Sequence, residues 1–583
     1  MAELHYDHDA EKSVGSQSEI YDPVHAGLEF PTAEELATLR RVPDTIPWNA
    51  YLISVVELAE RFSYYGSVVV FTNFIQQPLP PGSHSGAGGH DGQAGALGMG
   101  QRASTGIGTF YSFWCYVTPL LGAYIADTYL GRFKTIVVAV GIAMLGHILL
   151  IVPSLPGVIE EKSALGAFLV AIIIMGFGTG LFKANISPLV AEQYQRTKMF
   201  IKTTQSGERV IVDPSATVAR MYMYFYLFIN LGALVGQLAM TYAEKYVGFW
   251  LSFTLPTIIF SVCPIVLYFG RNKYVRSDPT GSVLSKALRL LLFAAKGRWS
   301  LNPARAYRQL TAPDFWEKAK PSYVAKQTGQ KPDWMTFDDQ WVDEVRRGFK
   351  ACSVFAWYPL YWLTYNQLNN NLPSQAATMS THGLPNDVLS NLNPLTLIIF
   401  IPIFDLFIYP ELRRRGFNFT ALKKITVGFM TGAAAMCWAA VVQHYLYKTN
   451  PCGNSASTCT DEEENPLVSH LNVWIQSGAY ILIAFSEIFA SITGLEYAFT
   501  KGPKNMRSLV MSVFLFTSAL ASALGEAFVA LSTDPLLVWN YGAMAVIATI
   551  AGFVFWFSVR GLDAEEDTLN NLAEGKFDKQ RQD

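Results

Sequence analysis

The sequence predicts an all-α membrane protein with twelve transmembrane helices arranged in two six-helix bundles. Of the 583 residues, 51% are hydrophobic and only 15% are charged, whereas a soluble domain carries about 25% charged residues. The apolar residues also gather into runs of about 20, the length that crosses a bilayer core roughly 30 Å thick. Composition and run length together indicate a polytopic membrane protein.

Hydropathy divides the chain into tails, bundles and a linker. We expect polar cytoplasmic tails at residues 1–46 and 559–583. The two bundles are predicted at residues 47–270 and 348–558, joined by a cytoplasmic linker at residues 271–347. The predicted membrane helices lie at residues 47–75, 106–126, 134–153, 164–190, 219–243, 249–270, 348–368, 391–409, 421–446, 470–500, 508–531 and 536–558.

The distribution of Lys and Arg predicts that both termini are cytoplasmic. Of the 44 basic residues, only Arg102, Lys162, Lys245 and Lys448 fall in connections that this orientation places outside. Cytoplasmic loops carry the excess of basic residues in membrane proteins, so this orientation is the favoured one. The net charge of −2 gives no electrostatic footprint for a nucleic acid, and none is expected as a partner.

The connections between helices hold three further features. The linker segment from Lys286 to Lys296 predicts an amphipathic helix on the inner leaflet, with a plain connecting helix as the alternative. Residues 78–106 are rich in glycine, and we expect them to form a flexible external loop. Cys452 and Cys459 lie in another external connection, where a disulfide that staples the loop is expected.

Several catalytic motifs are missing from the sequence. It contains no Gly-x4-Gly-Lys-Ser/Thr loop, which argues against an ATP-driven pump. It also contains no His-Glu-x2-His, Gly-x-Ser-x-Gly or Cys-x2-Cys array, which argues against a membrane hydrolase or a metal site. We therefore expect no enzyme activity, no metal and no organic cofactor.

The first predicted membrane helix carries an unusual cluster of charge. At 100° per residue, Glu57, Glu60, Arg61 and Tyr64 share one face of that helix. A charge at the bilayer centre costs about 2.5–3.5 kcal/mol on insertion scales, so this face must look into the bundle or a water-filled cavity. A buried ion-pair network that only locks helices together is the alternative.

Other ionisable residues are also predicted inside membrane helices. Lys183 lies in the fourth helix, and we expect Glu60 or Glu57 to be its carboxylate partner. Glu487 lies in the tenth helix with no basic residue near it in sequence, so it is either protonated or awaits a cation. Helix-packing or gating roles are expected for three more acidic residues, Asp405, Glu496 and Glu526.

Motifs in both halves of the chain resemble those of the proton-dependent oligopeptide transporter family, also called the PTR family. The resemblance rests on Glu57-x2-Glu60-Arg61-Phe-Ser-Tyr64-Tyr65-Gly66, Gly122-Ala-Tyr-Ile-Ala-Asp127-Thr-Tyr-Leu-Gly131-Arg132-Phe-Lys134, Phe225-Tyr-Leu-Phe-Ile-Asn230-Leu-Gly and Gly494-Leu-Glu496-Tyr-Ala-Phe-Thr-Lys501. The insertion at residues 191–218 resembles the fungal branch of this family.

The resemblance implies a major facilitator fold and proton-coupled import of di- and tripeptides by alternating access. By the same resemblance, Arg61 and Lys183 hold the peptide carboxylate and Glu487 takes its amino terminus. The residues expected to bind the peptide backbone or to line the pocket are Asn230, Asn393, Tyr64, Tyr65, Tyr116 and Trp362.

Two departures from the family pattern affect the expected proton sites. Many members carry a second Arg seven residues after the first, where this chain has Val68. The seventh helix has Tyr365 in a stretch where bacterial relatives carry paired carboxylates. Proton coupling is therefore expected at Glu57 and Glu60, in linkage with Arg61 and Lys183, and secondarily at Glu487.

The resemblance also suggests partners and a location. Protons are the expected coupling ion, and a monomer in the lipid bilayer of the plasma membrane is the expected form. Two alternatives differ in class. One is a transporter of the same fold that carries another small anion such as nitrate, and the other is a receptor that senses peptides.

Overall fold

The computed structural model describes Val24 and residues 26–561, apart from 90–91, 197, 277–278, 280–282, 299–307, 310–311, 313, 416–418, 463–465 and 502–506. Most of both predicted tails and part of the predicted linker therefore lie outside the described residues. The described chain is mainly helical, and each predicted membrane interval overlaps one or more of its helices.

The first half of the chain begins with a short helix and continues with long ones. In chain order these are α1 (Ala33–Thr38), α2 (Trp48–Val69), α3 (Phe71–Gln76), α4 (Gly100–Ile125), α5 (Arg132–Ile151), α6 (Ala164–Glu192), α7 (Pro214–Tyr246), α8 (Phe249–Phe260) and α9 (Val262–Gly270). The linker region contributes α10 (Val283–Ala295), α11 (Asp314–Glu317), α12 (Pro321–Thr328) and α13 (Asp339–Cys352).

The second half is more often interrupted within its helical intervals. Its helices are α14 (Tyr358–Tyr365), α15 (Asn371–Ala377), α16 (Leu392–Ile403), α17 (Tyr409–Arg414), α18 (Ala421–Thr449), α19 (Ser477–Ser486), α20 (Thr493–Lys501), α21 (Arg507–Glu526) and α22 (Leu537–Val559). Two π-helical turns, Phe404–Ile408 and Glu487–Ile492, connect helices that would otherwise be continuous.

Seven helical segments of the described chain are long and apolar enough to cross a membrane. They are Arg132–Ser154, Ala164–Glu192, Arg220–Tyr246, Phe249–Gly270, Ala421–Thr449, Val473–Leu495 and Leu537–Val559. Other predicted intervals differ for identifiable reasons. Helix α2 carries three charged residues on its inner face, and α14 and α16 are short pieces of interrupted intervals.

Small β-structures appear where the sequence predicted only loops. Strands β1 (Arg41–Val42), β2 (Phe200–Thr203) and β3 (Arg209–Val212) form a sheet in the order β1-β3-β2. In this sheet β1 runs parallel to β3, and β2 and β3 form an antiparallel hairpin. The sheet therefore attaches the segment before α2 to the connection between α6 and α7.

A second small sheet lies at the opposite end of the helices. Strands β4 (Met379–Ser380) and β5 (Ser469–Asn472) are parallel partners. Cys452 and Cys459 form a disulfide in the loop that precedes β5. We call this the disulfide end of the molecule, and the end that carries β1–β3 and α10–α13 the linker end.

The glycine-rich segment at residues 78–106 differs from the flexible loop that its composition suggests. Within its described part, Gly95 N–H donates to the carbonyl of Gly86, and Ala96 N–H donates to that of Gln77. The ammonium group of Lys245 donates to the carbonyl of Gly92 at 2.9 Å. The segment is therefore folded against α3 and the end of α7 by its own backbone hydrogen bonds.

The linker helix α10 is amphipathic, as predicted. Its residues Ala287 and Leu290 are buried in a cluster with Phe315 and Trp341 of the other linker helices. Leu292, on the other side, is 68% exposed. Protein therefore covers one apolar side of α10, and contact of the other side with the inner leaflet stays a prediction.

Close helix packing positions the polar face of α2. This helix packs along α7, and α4 packs against α6. A Cβ atom added at Gly236 would collide with the backbone of Phe62, and one added at Gly180 would collide with Thr118. Glycine at these two positions lets α7 approach α2 and lets α4 approach α6.

The two halves meet through hydrogen bonds at the disulfide end. Ser374 Oγ donates to Gln76 Oε1 at 2.6 Å, and Thr72 Oγ1 donates to the Asn369 carbonyl at 3.2 Å. The Tyr246 hydroxyl donates to the carbonyl of Gly383. In the part of the chain that the structure describes, the hydrogen bonds between residues 48–270 and 358–559 gather at this end.

Candidate functional site

A buried ion-pair cluster occupies the inner face of α2. The Nε atom of Arg61 lies 2.6 Å from Glu60 Oε2 and 3.0 Å from Glu57 Oε1. All three residues are no more than 3% exposed. The sequence predicted that these groups share one face and avoid lipid, and the structure places them so. One guanidinium thus sits between two carboxyl groups.

This cluster is not saturated with hydrogen bonds. Among the described residues, Glu57 Oε2, Glu60 Oε1 and Arg61 Nη2 are buried and have no hydrogen-bond partner. A buried polar atom without a partner costs about 1–3 kcal/mol, and more when it is charged. A network that served only to lock helices would be expected to satisfy these atoms, so their state indicates groups available to a substrate or a proton.

Lys183 does not pair directly with the α2 carboxylates. Its Nζ atom lies 3.8 Å from the centre of the Tyr116 ring, in a cation–π contact. It is within electrostatic range of Glu57 and Glu60, yet no described carboxylate oxygen lies within the 4.0 Å of an ion pair. The predicted Lys183 pair with Glu60 or Glu57 is therefore wrong for this conformation, because Arg61 already occupies both carboxylates.

Glu487 lies in the second half, where two neutral side chains hold it. The Tyr365 hydroxyl donates to Glu487 Oε2 at 3.1 Å, and Asn393 Nδ2 donates to the same oxygen at 3.0 Å. Glu487 opens the π-helical turn Glu487–Ile492. Such turns are frequent at functional sites, because they redirect a side chain within a helix. No described Lys or Arg forms an ion pair with this carboxylate.

Tyrosines connect the two charged regions. Tyr65 is within electrostatic range of Arg61, Lys183 and Glu487 at once. Tyr116 is within range of Arg61 and Glu487. Tyr65 and Tyr116 are therefore close both to cationic groups of the first half and to a carboxylate of the second half.

Two predicted pocket residues, Tyr64 and Trp362, pack within aromatic clusters. Tyr64 is 9% exposed and packs edge-on against Tyr65, with ring centres 5.1 Å apart. The indole N–H of Trp362 donates to Thr517 Oγ1 at 3.0 Å, and its ring lies 5.5 Å from Tyr365. Trp362 therefore borders the Glu487 region, whereas Tyr64 stacks behind Arg61.

Asn230 and Asn393 differ in their present contacts. The side chain of Asn230 donates to the carbonyl of Tyr226 in its own helix at 2.9 Å. That of Asn393 already supports Glu487, and its Oδ1 atom is buried without a described partner. Asn393 therefore has a vacant acceptor beside the carboxylate, while Asn230 does not contact the charged groups.

Three more acidic residues were predicted inside membrane helices, and the structure describes the side chain of one of them, Glu526. Glu526 is the last residue of α21, near Gly106 of α4. The side chains of Asp405 and Glu496 lie outside the described residues. Among the described residues, no group of three or more His, Cys, Asp or Glu side chains is arranged to hold a metal ion.

Comparison with known proteins identifies the family. A sequence model described as the POT family matches residues 133–547, which is more than half of the chain. The chain belongs to the POT family.

Its relatives in this family include fungal proteins of similar length. The "Peptide transporter PTR_B" of Candidozyma auris is 43% identical over 572 residues, covering 98% of this chain and 92% of the relative. The "Peptide transporter PTR2" of Saccharomyces cerevisiae is 38% identical over 575 residues, covering 97% and 89%. These relatives are named as transporters, in agreement with the prediction that the chain is not an enzyme.

Solved structures of the POT family share the fold. The crystal structure of the POT family transporter PepTSo superposes with a TM-score of 0.68 at 20% identity, covering 90% of this chain and 99% of the other. This likeness shows that the chain has the fold of that structure. Membership of the POT family and the long apolar helices support the predicted multi-pass membrane protein.

Three residues that lie beside these charged groups were not among the predicted site residues. Tyr365 was noted only for replacing a carboxylate, yet it donates to Glu487. Tyr226 lies within range of Glu487 and Tyr65. Thr179, one turn before Lys183 in α6, lies within hydrogen-bonding reach of Glu60. The i, i+4 spacing of Thr179 and Lys183 was the available signal for Thr179.

Proposed function

We propose that this protein is a proton-coupled symporter that imports di- and tripeptides by alternating access. One observation carries the proposal. Tyr65 and Tyr116 lie within electrostatic range of Arg61 in the first half and of Glu487 in the second half, and Lys183 contacts the Tyr116 ring. A zwitterionic peptide needs a cationic and an anionic site held apart, and the two halves supply one each.

Arg61 and Lys183 would bind the peptide carboxylate. Arg61 Nη2 is a buried donor without a described partner. Lys183 contacts the face of Tyr116 and no described carboxylate. A charge-assisted hydrogen bond from either group to a peptide carboxylate would be about twice as strong as a neutral one. The vacant guanidinium nitrogen and the ammonium are thus the donors that would hold the peptide carboxylate.

Glu487 would bind the peptide amino terminus. Its described partners, Tyr365 and Asn393, are neutral donors that fix the position of Oε2. A substrate ammonium would supply the cation that the described chain does not place within ion-pair distance. Asn393 Oδ1 offers an acceptor for a peptide N–H beside the same carboxylate. Asn230 would need to release the Tyr226 carbonyl before it could bind the peptide backbone.

Glu57 and Glu60 would couple proton movement to peptide binding. In this conformation both carboxyl groups compete for the single Nε atom of Arg61. When Arg61 turns to a peptide carboxylate, at least one of these acids loses its counter-ion in a buried setting. Protonation removes that cost, because burial disfavours an unpaired charge. Glu60 makes the shorter contact and is the preferred coupling site, with Glu487 as the second.

The closed disulfide end gives the transport cycle a direction. We assign this end to the outside and the linker end to the cytoplasm, with twelve membrane helices in two six-helix bundles and both termini inside. The positive charges of the predicted connections support this orientation, and a disulfide suits an oxidising compartment. This conformation is then one in which the outer side is closed. A monomer in the plasma membrane completes the proposal.

Substrate competition tests the proposed function against its alternatives. Cells without endogenous peptide uptake would express this protein and receive labelled dipeptide, with unlabelled dipeptide, free amino acid or nitrate as competitors. The proposal predicts saturable uptake that only di- and tripeptides inhibit. Nitrate competition with no dipeptide uptake would identify an anion transporter. Dipeptide binding without uptake would identify a receptor.

A further inference from the structure

A second group of buried acids lies at the disulfide end, away from the proposed peptide site. It consists of Glu244 at the end of α7 and Asp387 in the turn before α16, which contact Asn73 of α3. Glu244 is 1% exposed and Asp387 is 0% exposed. The first acid belongs to one half of the chain and the second to the other half.

Asn73 joins these two acids. Its Nδ2 atom lies 2.8 Å from Glu244 Oε1 and 3.2 Å from Asp387 Oδ1. The same side chain exchanges hydrogen bonds with Asn386, at 2.7 Å and 2.8 Å. The two carboxyl groups are also within hydrogen-bonding reach of each other. We call Glu244 and Asp387 the carboxyl pair.

The groups around the carboxyl pair supply one positive charge, which compensates one ionised carboxylate and not two. Lys245 is the cation within electrostatic range of both acids, and its Nζ atom also donates to the Gly92 carbonyl. Asn73 and Asn386 are neutral. From the second half, Tyr480 faces Asp387. Two touching carboxylates in a buried site cannot both be ionised without a large cost.

Two oxygens of the carboxyl pair lack a donor. Glu244 Oε2 and Asp387 Oδ2 are buried, and no N–H or O–H group of the described residues donates to them. The hydroxyl of Tyr480, 0% exposed, likewise has no described hydrogen-bond partner. A proton on one carboxyl group would be donated to the other and would satisfy both acids. Burial also raises the pKa of the Asp387 carboxyl, so this group holds a proton at higher pH than an exposed acid.

We propose that Glu244 and Asp387 share one proton, and that binding of this proton allows the two halves to close at the disulfide end. The assignment of this end to the outside rests on the proposed function. The proton comes from external water and returns there when the halves separate and both acids become hydrated. The closed state then holds one more proton than the open state, so lower external pH favours closure.

A cysteine reporter measures this closure without measuring transport. Ser374 is 3% exposed at the junction and bonds Gln76 across it, so Ser374→Cys becomes accessible only when the junction opens. Intact cells would be treated with a membrane-impermeant maleimide over a range of external pH. The labelling rate of Ser374→Cys is divided by that of Lys162→Cys, which lies at an exposed position. This division removes the pH dependence of thiol reactivity itself and gives a corrected labelling rate.

The corrected labelling rate is expected to rise with external pH by up to about tenfold per pH unit between the titration of the pair in the open state and its titration in the closed state. Glu244→Gln and Asp387→Asn, each combined with the reporter, should make the rate independent of pH, because an amide donor replaces the proton. Glu161→Gln, an exposed acid at the same end, is the matched control and should keep the pH dependence.

A corrected rate that does not change with pH in the otherwise wild-type reporter would overturn the proposal, even if neither pair variant folds. An unchanged pH dependence in both pair variants would overturn it as well. Failure of this proposal can be told apart from failure of the proposed function. Peptide uptake with a flat labelling profile contradicts only the shared proton, whereas pH-dependent labelling without peptide uptake contradicts only the transport proposal.

Discussion

The ammonium group of Lys183 lies 3.8 Å from the centre of the Tyr116 ring, with no described carboxylate in ion-pair contact. A buried ammonium is costly unless it is compensated, and a cation–π contact compensates it without neutralising the charge. Tyr116 therefore holds the Lys183 side chain without neutralising it, which is what the proposed binding of a peptide carboxylate requires. Arg61 differs, because two carboxyl groups already contact it.

The contact between Lys183 and Tyr116 can be tested by keeping or removing the ring. Tyr116→Leu should weaken dipeptide binding by about 2- to 30-fold, corresponding to the roughly 0.5–2 kcal/mol of a cation–π interaction. Tyr116→Phe keeps the ring and should bind almost as wild type does. Competition binding on purified protein measures both. Equal weakening by the two substitutions would instead assign the effect to the hydroxyl group.

Glu60 is expected to link proton movement to peptide movement. Glu60→Gln should abolish accumulation against a gradient while leaving peptide exchange at equal concentrations partly intact, because the amide cannot gain or lose the proton. Counterflow and concentrative uptake are measured on the same cells. Glu161→Gln, a substitution at an exposed acid outside the helices, is the control and should retain accumulation. If Glu60→Gln still accumulates peptide against a gradient, Glu60 is not the coupling residue.

Glu487 is expected to distinguish a free amino terminus from a blocked one. The wild type should bind acetyl-Ala-Ala much more weakly than Ala-Ala, because the acetylated peptide lacks the ammonium. In Glu487→Gln the ratio of the two affinities should shrink, since a neutral amide gives no preference for the charge. If Glu487 only braces its helix, the affinities of the variant for both peptides should fall by the same factor. An unaltered ratio in the variant would exclude its role as the amino-terminus site.

The Cys452–Cys459 disulfide is expected to contribute to stability and not to transport. It closes a short loop remote from Arg61 and Glu487. Replacing both cysteines with serine should lower the free energy of unfolding by about 2.5 kcal/mol at most, which is the chain-entropy estimate for a loop of this length. Thermal unfolding of purified protein measures this change. Dipeptide affinity at ambient temperature should stay unchanged, and a large loss of affinity would indicate that the loop shapes the site.

Hydropathy and helical periodicity predicted the elements that bury apolar surface. The intervals for α6 and α22 end within two residues of the described helices, because uninterrupted apolar runs have no competing structure. The spacing of Glu57, Glu60 and Arg61 alone predicted that they share one face of α2. The hairpin of β2 and β3 was missed, because strands of four residues are too short to carry a clear periodic signal.

Contacts between helices could not be predicted in the same way. The expected pair of Lys183 with Glu60 or Glu57 was wrong for this conformation. Helical periodicity gives the direction of a side chain within one helix, but not its distance to a residue of another helix. The carboxyl pair was invisible for a related reason. Glu244 and Asp387 lie far apart in sequence, one at a helix end and one in a connection, where acidic residues are ordinary.

Proton-driven peptide accumulation is the central claim, and reconstituted vesicles test it most directly. Purified protein would be placed in proteoliposomes with a more acidic exterior, and labelled dipeptide uptake followed with and without a protonophore and with and without sodium. Each proton supplies about 1.4 kcal/mol per pH unit in addition to the membrane potential. The account predicts accumulation above equilibrium that collapses with protonophore and is indifferent to sodium. Accumulation that survives the protonophore, or that requires sodium at constant pH, would contradict it.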